Sequence, residues 1–192
     1  TPAISDPGEE LVKLCADNGV EVISIPGPCA LVTALSVSGL PTGRFTFEGF
    51  LPMNKKNRKA HLLSLTGEQR TMIFYEAPHK LSATLADLRD TFGGDRRISL
   101  CRELTKLHEE VRRTTLDEAV AWYQANSPKG EFVLVVEGAQ PVEEEGVSPE
   151  DGLALVERYR SEGLSLRDAA RRAAEETGLP RKELYDMALG KK

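Results

Sequence analysis

Cysteine is scarce in this chain, and its three copies, Cys15, Cys29 and Cys101, show no Cys-x-x-Cys spacing. An odd number of scattered thiols in apolar patterns excludes a disulfide framework and a cysteine zinc site, so they read as reduced structural thiols. Histidine is equally sparse: His61, His79 and His108 stand far apart without a His-Glu-x-x-His spacing, so no protein-bound metal is expected. No apolar run approaches the roughly 20 residues that a membrane helix needs, and no secretory leader is evident, so a soluble cytoplasmic protein is expected. What the chain does have is 40% hydrophobic content in 192 residues, enough for one large core or two small ones.

The net charge of −5 argues against a uniformly basic nucleic-acid binder, but the charge is unevenly placed. Lys55, Lys56, Arg58 and Lys59 form an acid-free run just after Phe50-Leu51-Pro52, whereas Glu143, Glu144, Glu145, Glu150 and Asp151 make an acidic stretch. Four neighbouring cations repel one another, which favours a phosphate-contacting loop over a merely solvated turn.

Periodicity predicts alternating helices and strands up to about residue 141. A helix over 9–18 leads into a buried-strand pattern over 20–25, and a small-residue helix follows the break at Pro26-Gly27-Pro28 and ends at Gly39-Leu40-Pro41. Strands are expected at 44–49, 71–75, 97–103, 110–113 and 131–137, with helices at 56–65, 81–92 and 116–126. The Thr115 cap before Asp117-Glu118 and the Gly93-Gly94 turn mark clear starts and stops. The expected organisation is a first α/β subdomain over 1–43, a second over 44–141, an acidic linker over 142–149 and a helical module over 150–192. In that module the Gly163-Leu164-Ser165 start, Ala169, Ala170, Ala173 and Ala174, and Thr177-Gly178-Leu179-Pro180 suggest a helix-turn-helix arrangement, which serves nucleic-acid docking and plain packing equally well.

Two strand-to-helix turns stand out, Thr1-Pro2-Ala3-Ile4-Ser5-Asp6-Pro7-Gly8 and Pro26-Gly27-Pro28-Cys29-Ala30, because small residues there let backbone approach a ligand. On their own they fit a ligand loop and a tight connection equally. Four further segments accompany them: Phe47-Glu48-Gly49-Phe50-Leu51-Pro52, Phe74-Tyr75-Glu76-Ala77-Pro78-His79-Lys80, Cys101-Arg102-Glu103-Leu104-Thr105-Lys106 and Gly130-Glu131-Phe132. With these six segments the chain resembles the tetrapyrrole methylase superfamily, and within it the branch that 2′-O-methylates a cytidine of 16S ribosomal RNA. The resemblance covers residues 1 to about 190. It departs at the front, where the family places a strand, a glycine-rich loop and an acidic-threonine segment before the Thr-Pro that opens this sequence.

The resemblance implies a two-subdomain α/β fold followed by the helical module, S-adenosylmethionine as cofactor, small-subunit ribosomal RNA as partner, and a homodimer for the full-length protein. It implies cofactor contacts at Thr1, Ile4, Cys29, Ala30, Tyr75, Glu76, Leu104, Glu131 and Phe132, although ring methylases carry a long apolar residue where Glu76 stands. For catalysis or substrate grip the candidates are Glu76, His79, Lys80, Arg102 and Glu103, two polar clusters that follow apolar strands and should end near one cleft. Those charges equally suit an ion-pair network that supports the sheet. Methyl transfer is an in-line displacement that mainly needs positioning and water exclusion, and no residue type is forced into the role of base. A corrin or porphyrin ring methylase is the alternative enzyme, disfavoured by the basic loop and helical module; a non-catalytic RNA-binding fragment is the alternative outside catalysis.

Overall fold

The computed structural model describes residues 1–141 and 147–190, so most of the expected acidic linker, residues 142–146, lies outside the described residues. The chain divides into two compact units, residues 1–140 and 141–192.

In the first unit, α1 (Glu9–Asp17) and α2 (Ala30–Val37) precede a five-stranded sheet of β1 (Phe45–Phe50), β2 (Thr71–Glu76), β3 (Arg97–Arg102), β4 (Glu110–Thr115) and β5 (Phe132–Val136). Between the strands run α3 (Lys55–Ser64), α4 (Pro78–Phe92) and α5 (Leu116–Ala125). The strand order is β1-β2-β5-β3-β4, with β1 parallel to β2 and β5 antiparallel to both β2 and β3. Consequently the last residues of β1, β2 and β3 and the first of β5 lie along one rim of the sheet.

Alternation along each strand assigns the two faces. Met72, Phe74, Ile98, Leu100, Phe132, Leu134 and Val136 pack against Leu62 of α3, Leu81, Leu85 and Leu88 of α4, and Leu116, Ala119 and Tyr123 of α5. Ile73, Cys101, Val133 and Val135 face the other way, against Leu31, Ala34 and Leu35 of α2 and against Leu40. Because β5 is covered on both faces, all five of its residues are buried and apolar. Local signals set the ends: Thr115 and Glu118 close a reciprocal capping box at the start of α5. Pro78 occupies the first turn of α4, which therefore starts three residues before the expected Leu81.

The strand expected over 20–25 does not form. None of the five strands pairs with that segment, and Ile23 and Ile25 are 74% and 81% exposed. A β-branched run supplies faces for packing, but strand structure also needs a neighbour to complete its ladder. The expected helix before it is present as α1, with none of its residues buried.

The second unit holds α6 (Pro149–Ser161), α7 (Leu166–Thr177) and α8 (Arg181–Ala188) around Val156, Tyr159, Ala169, Ala170, Ala173 and Leu184. The alanines of α7 permit its close approach to neighbouring helices, and Ser148 and Ser165 cap α6 and α7 by accepting from the Asp151 and Asp168 amides at 3.0 and 3.2 Å. No described helix is long and apolar enough to cross a membrane.

Candidate active site

The rim where β1, β2, β3 and β5 end encloses a cavity of about 480 Å³ in the first unit. Strand ends are where open α/β sheets collect ligands, and this volume suits one small molecule. Thr1, Ile4, Ser5 and Asp6 of the opening loop form one wall, and Ala30 enters from the start of α2. Phe50 closes β1, Tyr75, Glu76 and Ala77 close β2, and Cys101, Glu103, Leu104 and Lys106 come from β3 and the loop after it. Glu131, Phe132 and Val133 complete the wall at the start of β5.

Backbone strain concentrates here. Among the described residues, the non-glycines with left-handed φ are Ala3, Ser5, Glu103 and Thr105, with φ of 66°, 50°, 48° and 65°. All four belong to the two loops that meet at the cavity, where such conformations persist only if surrounding contacts enforce them. The Ala3 amide donates to Pro7 at 3.3 Å, the Lys106 amide donates to Glu103 at 2.9 Å, and the Thr105 amide donates to the Glu109 carboxylate at 2.6 Å.

Two glycines are required by the geometry. Gly49, at φ 62° beside the register shift in β1, adopts a backbone conformation that favours glycine, and a Cβ there would lie a tight 3.2 Å from Ser5 Oγ of the opening loop. Gly130, at φ 79°, would place a Cβ 2.4 Å from Glu103 Cγ. In that space the Glu103 carboxylate accepts from the Glu131 amide at 3.2 Å and from Lys106 Nζ at 3.1 Å. Lys106 and the Glu131 amide hold the Glu103 carboxyl below the usual carboxylate range, so it is a persistent anion and a weak base.

Tyr75 and Glu76, adjacent on β2, point to opposite faces. The Tyr75 hydroxyl accepts from the Leu31 amide at 3.1 Å and so fixes the first turn of α2, while its ring meets Phe47 and Phe50 edge-on at 5.0 and 5.7 Å. Burial raises the Tyr75 pKa, with the neighbouring Cys29 adding to it. Glu76 is 3% exposed, accepts from the Ala77 amide at 2.8 Å and receives the Thr84 hydroxyl of α4. Both its oxygens are therefore engaged in tying β2 to α4.

The cavity wall thus gathers, of the residues suggested by sequence, Thr1, Ile4, Ala30, Tyr75, Glu76, Glu103, Leu104, Glu131 and Phe132. Cys29 caps α2 just behind Ala30 and does not line the space. Burial pushes its thiol up, but the Thr1 hydroxyl and the Val32 and Leu31 amides outweigh this, leaving the pKa lowered. His79 and Lys80, in the first turn of α4, and Arg102, paired with Glu110 at 2.7 Å, are not brought to the cavity. In the basic run, Lys55, Lys56 and Lys59 are exposed on α3. Arg58 departs from the expected phosphate contact: its side chain, 12% exposed, pairs with Asp87 at 2.6 Å and donates to Thr84 Oγ1 at 2.9 Å. Helical periodicity turns it toward α4 and away from its neighbours in sequence. Sequence reasoning missed Ser5, Asp6, Phe50, Ala77, Cys101, Lys106 and Val133; all except Val133 lie inside the six segments singled out.

Chemically the cavity is lined by apolar side chains, backbone groups and four acidic residues, Asp6, Glu76, Glu103 and Glu131, against the single ammonium of Lys106. That balance favours a small ligand carrying positive charge. Among the described residues no group of three potential metal ligands occurs.

Comparison with known proteins agrees along the whole chain. A family model described as Tetrapyrrole (Corrin/Porphyrin) Methylases matches residues 1–120, and one described as RsmI C-terminal HTH domain matches residues 147–192. Proteins named ribosomal RNA small subunit methyltransferase I are similar to it: that of Synechocystis is 49% identical over 98% of this chain and 68% of its own length. Those of Pseudomonas aeruginosa and Mycobacterium tuberculosis (strain CDC 1551 / Oshkosh) are 46% and 45% identical over 98% of this chain, and 67% and 65% of their own lengths. Among solved structures, the methyltransferase CobJ superposes with a TM-score of 0.55 at 20% identity, over 72% of this chain and 61% of that one, a likeness of fold. The chain thus spans about two thirds of the length of the curated relatives, and less of that structure.

Proposed function

Because the chain belongs to the tetrapyrrole (corrin/porphyrin) methylase family, we propose that it is a methyltransferase that uses S-adenosylmethionine to methylate small-subunit ribosomal RNA, at the 2′-hydroxyl of a cytidine of 16S RNA. The observation that carries this reading is that similarity to the ribosomal RNA methyltransferases runs through both units, cavity and helical module alike. A ring methylase alone would not account for the second unit.

The cavity fits the cofactor: its size suits one small molecule and its carboxylates suit a cationic one. Bound there, S-adenosylmethionine supplies an electrophilic methyl group on a sulfonium. Thr1, Ile4, Ala30, Leu104 and Phe132 would pack against it and exclude water, and Asp6 and Glu131 would meet its polar ends. Tyr75 keeps Ala30 in place by anchoring α2. Glu103, held anionic, orients the incoming hydroxyl better than it removes its proton, and Glu76 supports the same wall from beneath α4. Lys55, Lys56 and Lys59 would bind RNA phosphates from α3.

The proposal extends to a cytoplasmic homodimer with residues 1–43 at the interface. It is supported by the exposed apolar side chains of that region, among them Leu11, Leu14, Ile23 and Ile25. Sedimentation of the full-length protein at micromolar concentration should give twice its monomer mass; a single monomer species would refute that part.

The activity itself is tested by incubating the protein with methyl-labelled S-adenosylmethionine and small ribosomal subunits lacking the modification, with a uroporphyrinogen as competitor substrate. Label in 2′-O-methylcytidine after nuclease digestion is expected. Label on the tetrapyrrole, and none in RNA, would overturn the reading.

A further inference from the structure

A second cavity, of about 360 Å³, lies wholly within the helical unit and is lined by Arg167, Arg181, Lys182 and Tyr185. Its wall carries three cations and no carboxylate. The other cations of this unit are largely occupied: Arg158 pairs with Glu162 at 3.1 Å, Arg171 with Asp168 at 3.5 Å, and Arg172 lies 4.8 Å over the Tyr159 ring. Among the described residues, Arg167, Arg181 and Lys182 have no ion pair.

Their positions are unfavourable for the fold alone. Arg167 is the second residue of α7, and Arg181 and Lys182 are the first two of α8, so all three cations sit at the positive ends of their helices, where anions are preferred. They also repel one another across one concavity. Packing does not explain them either, since all three are exposed while the core beneath is made by Ala169, Ala170 and Leu184. An arrangement that costs folding and satisfies no internal partner is explained by an external anion that neutralises it.

We propose that this cavity seats the phosphodiester backbone of the RNA substrate, with Arg167, Arg181 and Lys182 as phosphate contacts and Tyr185 as an apolar wall beside them. The inference rests on the RNA reading above and adds to it a second, separate grip. Such contacts position RNA without reading its sequence.

The test uses the whole chain and a transcript of small-subunit ribosomal RNA in filter binding from 50 to 200 mM salt. R167Q/R181Q/K182Q should lose on the order of tenfold in affinity or more at the low-salt end. Its log–log salt slope should fall by about 2, at roughly 0.7 for each single-strand phosphate no longer neutralised. Affinity for S-adenosylmethionine and helical content should be unchanged. R158Q/R160Q/R171Q, which removes the same charge from the same unit, should keep nearly the full affinity. Equal losses in the two triple variants would reduce the effect to net charge, and no loss in either would eliminate the seat. Should the first variant misfold, R181Q and K182Q singly are expected to show about a third of the slope change each, with K182R keeping the wild-type slope; wild-type slopes in both single Gln variants would refute the proposal. If the wild-type chain methylates RNA while R167Q/R181Q/K182Q binds it normally, the seat fails alone. If the wild-type chain neither binds nor methylates RNA, the RNA reading fails and takes the seat with it.

Discussion

Two apolar runs of the first unit meet opposite fates. Phe132-Val133-Leu134-Val135-Val136 is buried throughout, paired on one side by β2 and on the other by β3. Val20-Glu21-Val22-Ile23-Ser24-Ile25 is as rich in β-branched residues, yet no strand pairs with it and its side chains face solvent. Composition sets the readiness of a segment to become a strand, and neighbours decide whether it does. The difference also separates the regions functionally. The paired run begins at the rim that holds Glu131 and Phe132 at the cavity, while the unpaired one keeps its apolar side chains exposed.

Stability should register this contrast most strongly. Leu134→Ala, in a position with no exposure, should cost about 2–5 kcal/mol in denaturant unfolding. Ile25→Ala, at 81% exposure, should stay within about 0.5 kcal/mol in the monomeric state. Comparable losses at the two sites would mean that residues 20–25 are packed in solution.

Next in size is Gly130→Ala, which combines a left-handed φ with overlap of the Glu103 side chain and should cost about 1–3 kcal/mol. Part of that loss should return in the Gly130→Ala/Glu103→Ala double variant. If the double variant is simply additive, Glu103 does not occupy the space over Gly130.

The basic run offers a subtler division. Arg58→Gln should lower stability by about 1–3 kcal/mol by leaving Asp87 and Thr84 without their partner. Replacing Lys55, Lys56 and Lys59 together by Gln should leave the unfolding midpoint unchanged and weaken RNA binding with a shallower salt slope. RNA affinity that falls only with Arg58 would reverse these roles.

The mildest change concerns pH. Arg70, bonded to Glu68 through both its guanidinium and its backbone amide, lowers the Glu68 pKa from 4.5 to about 2. A depressed folded-state pKa contributes stability above the unfolded value and loses it as pH falls, here between 4.5 and 2. Solvent screening keeps the contribution small. Glu68→Gln should flatten the acid limb of the stability curve in that window and leave neutral pH nearly unaffected. An unaltered acid limb would show that the bond to Arg70 is absent in solution.

Much of the fold and of the cavity was legible in residue order. The apolar run of 132–136, the Thr115 cap with Glu118 three residues on, and the Ser165 cap of the helical unit each act locally, so their structural outcome follows from their spacing. The cavity was legible through its motifs: Ser5, Asp6, Phe50 and Lys106 belong to segments picked out for other residues. What was hidden depends on tertiary geometry. Nothing in the sequence around Arg58 tells that Asp87 and Thr84 will lie beside it. Nor does the sequence tell that Arg102 will lie opposite Glu110 on β4 and be taken up by that ion pair instead of reaching the cavity.

Everything proposed for the first unit depends on the rim of the sheet holding the methyl donor. Ala30 is exposed at the start of α2 and lines the cavity, so Ala30→Trp should fill that space without disturbing the core. Calorimetric titration of S-adenosylmethionine into the wild-type and Ala30→Trp proteins, with unchanged circular dichroism, decides the matter. A loss of at least about tenfold in affinity is expected for the variant, as follows when roughly 1.4 kcal/mol or more of binding free energy is excluded. Equal affinity in the two proteins would contradict this assignment and place the cofactor elsewhere.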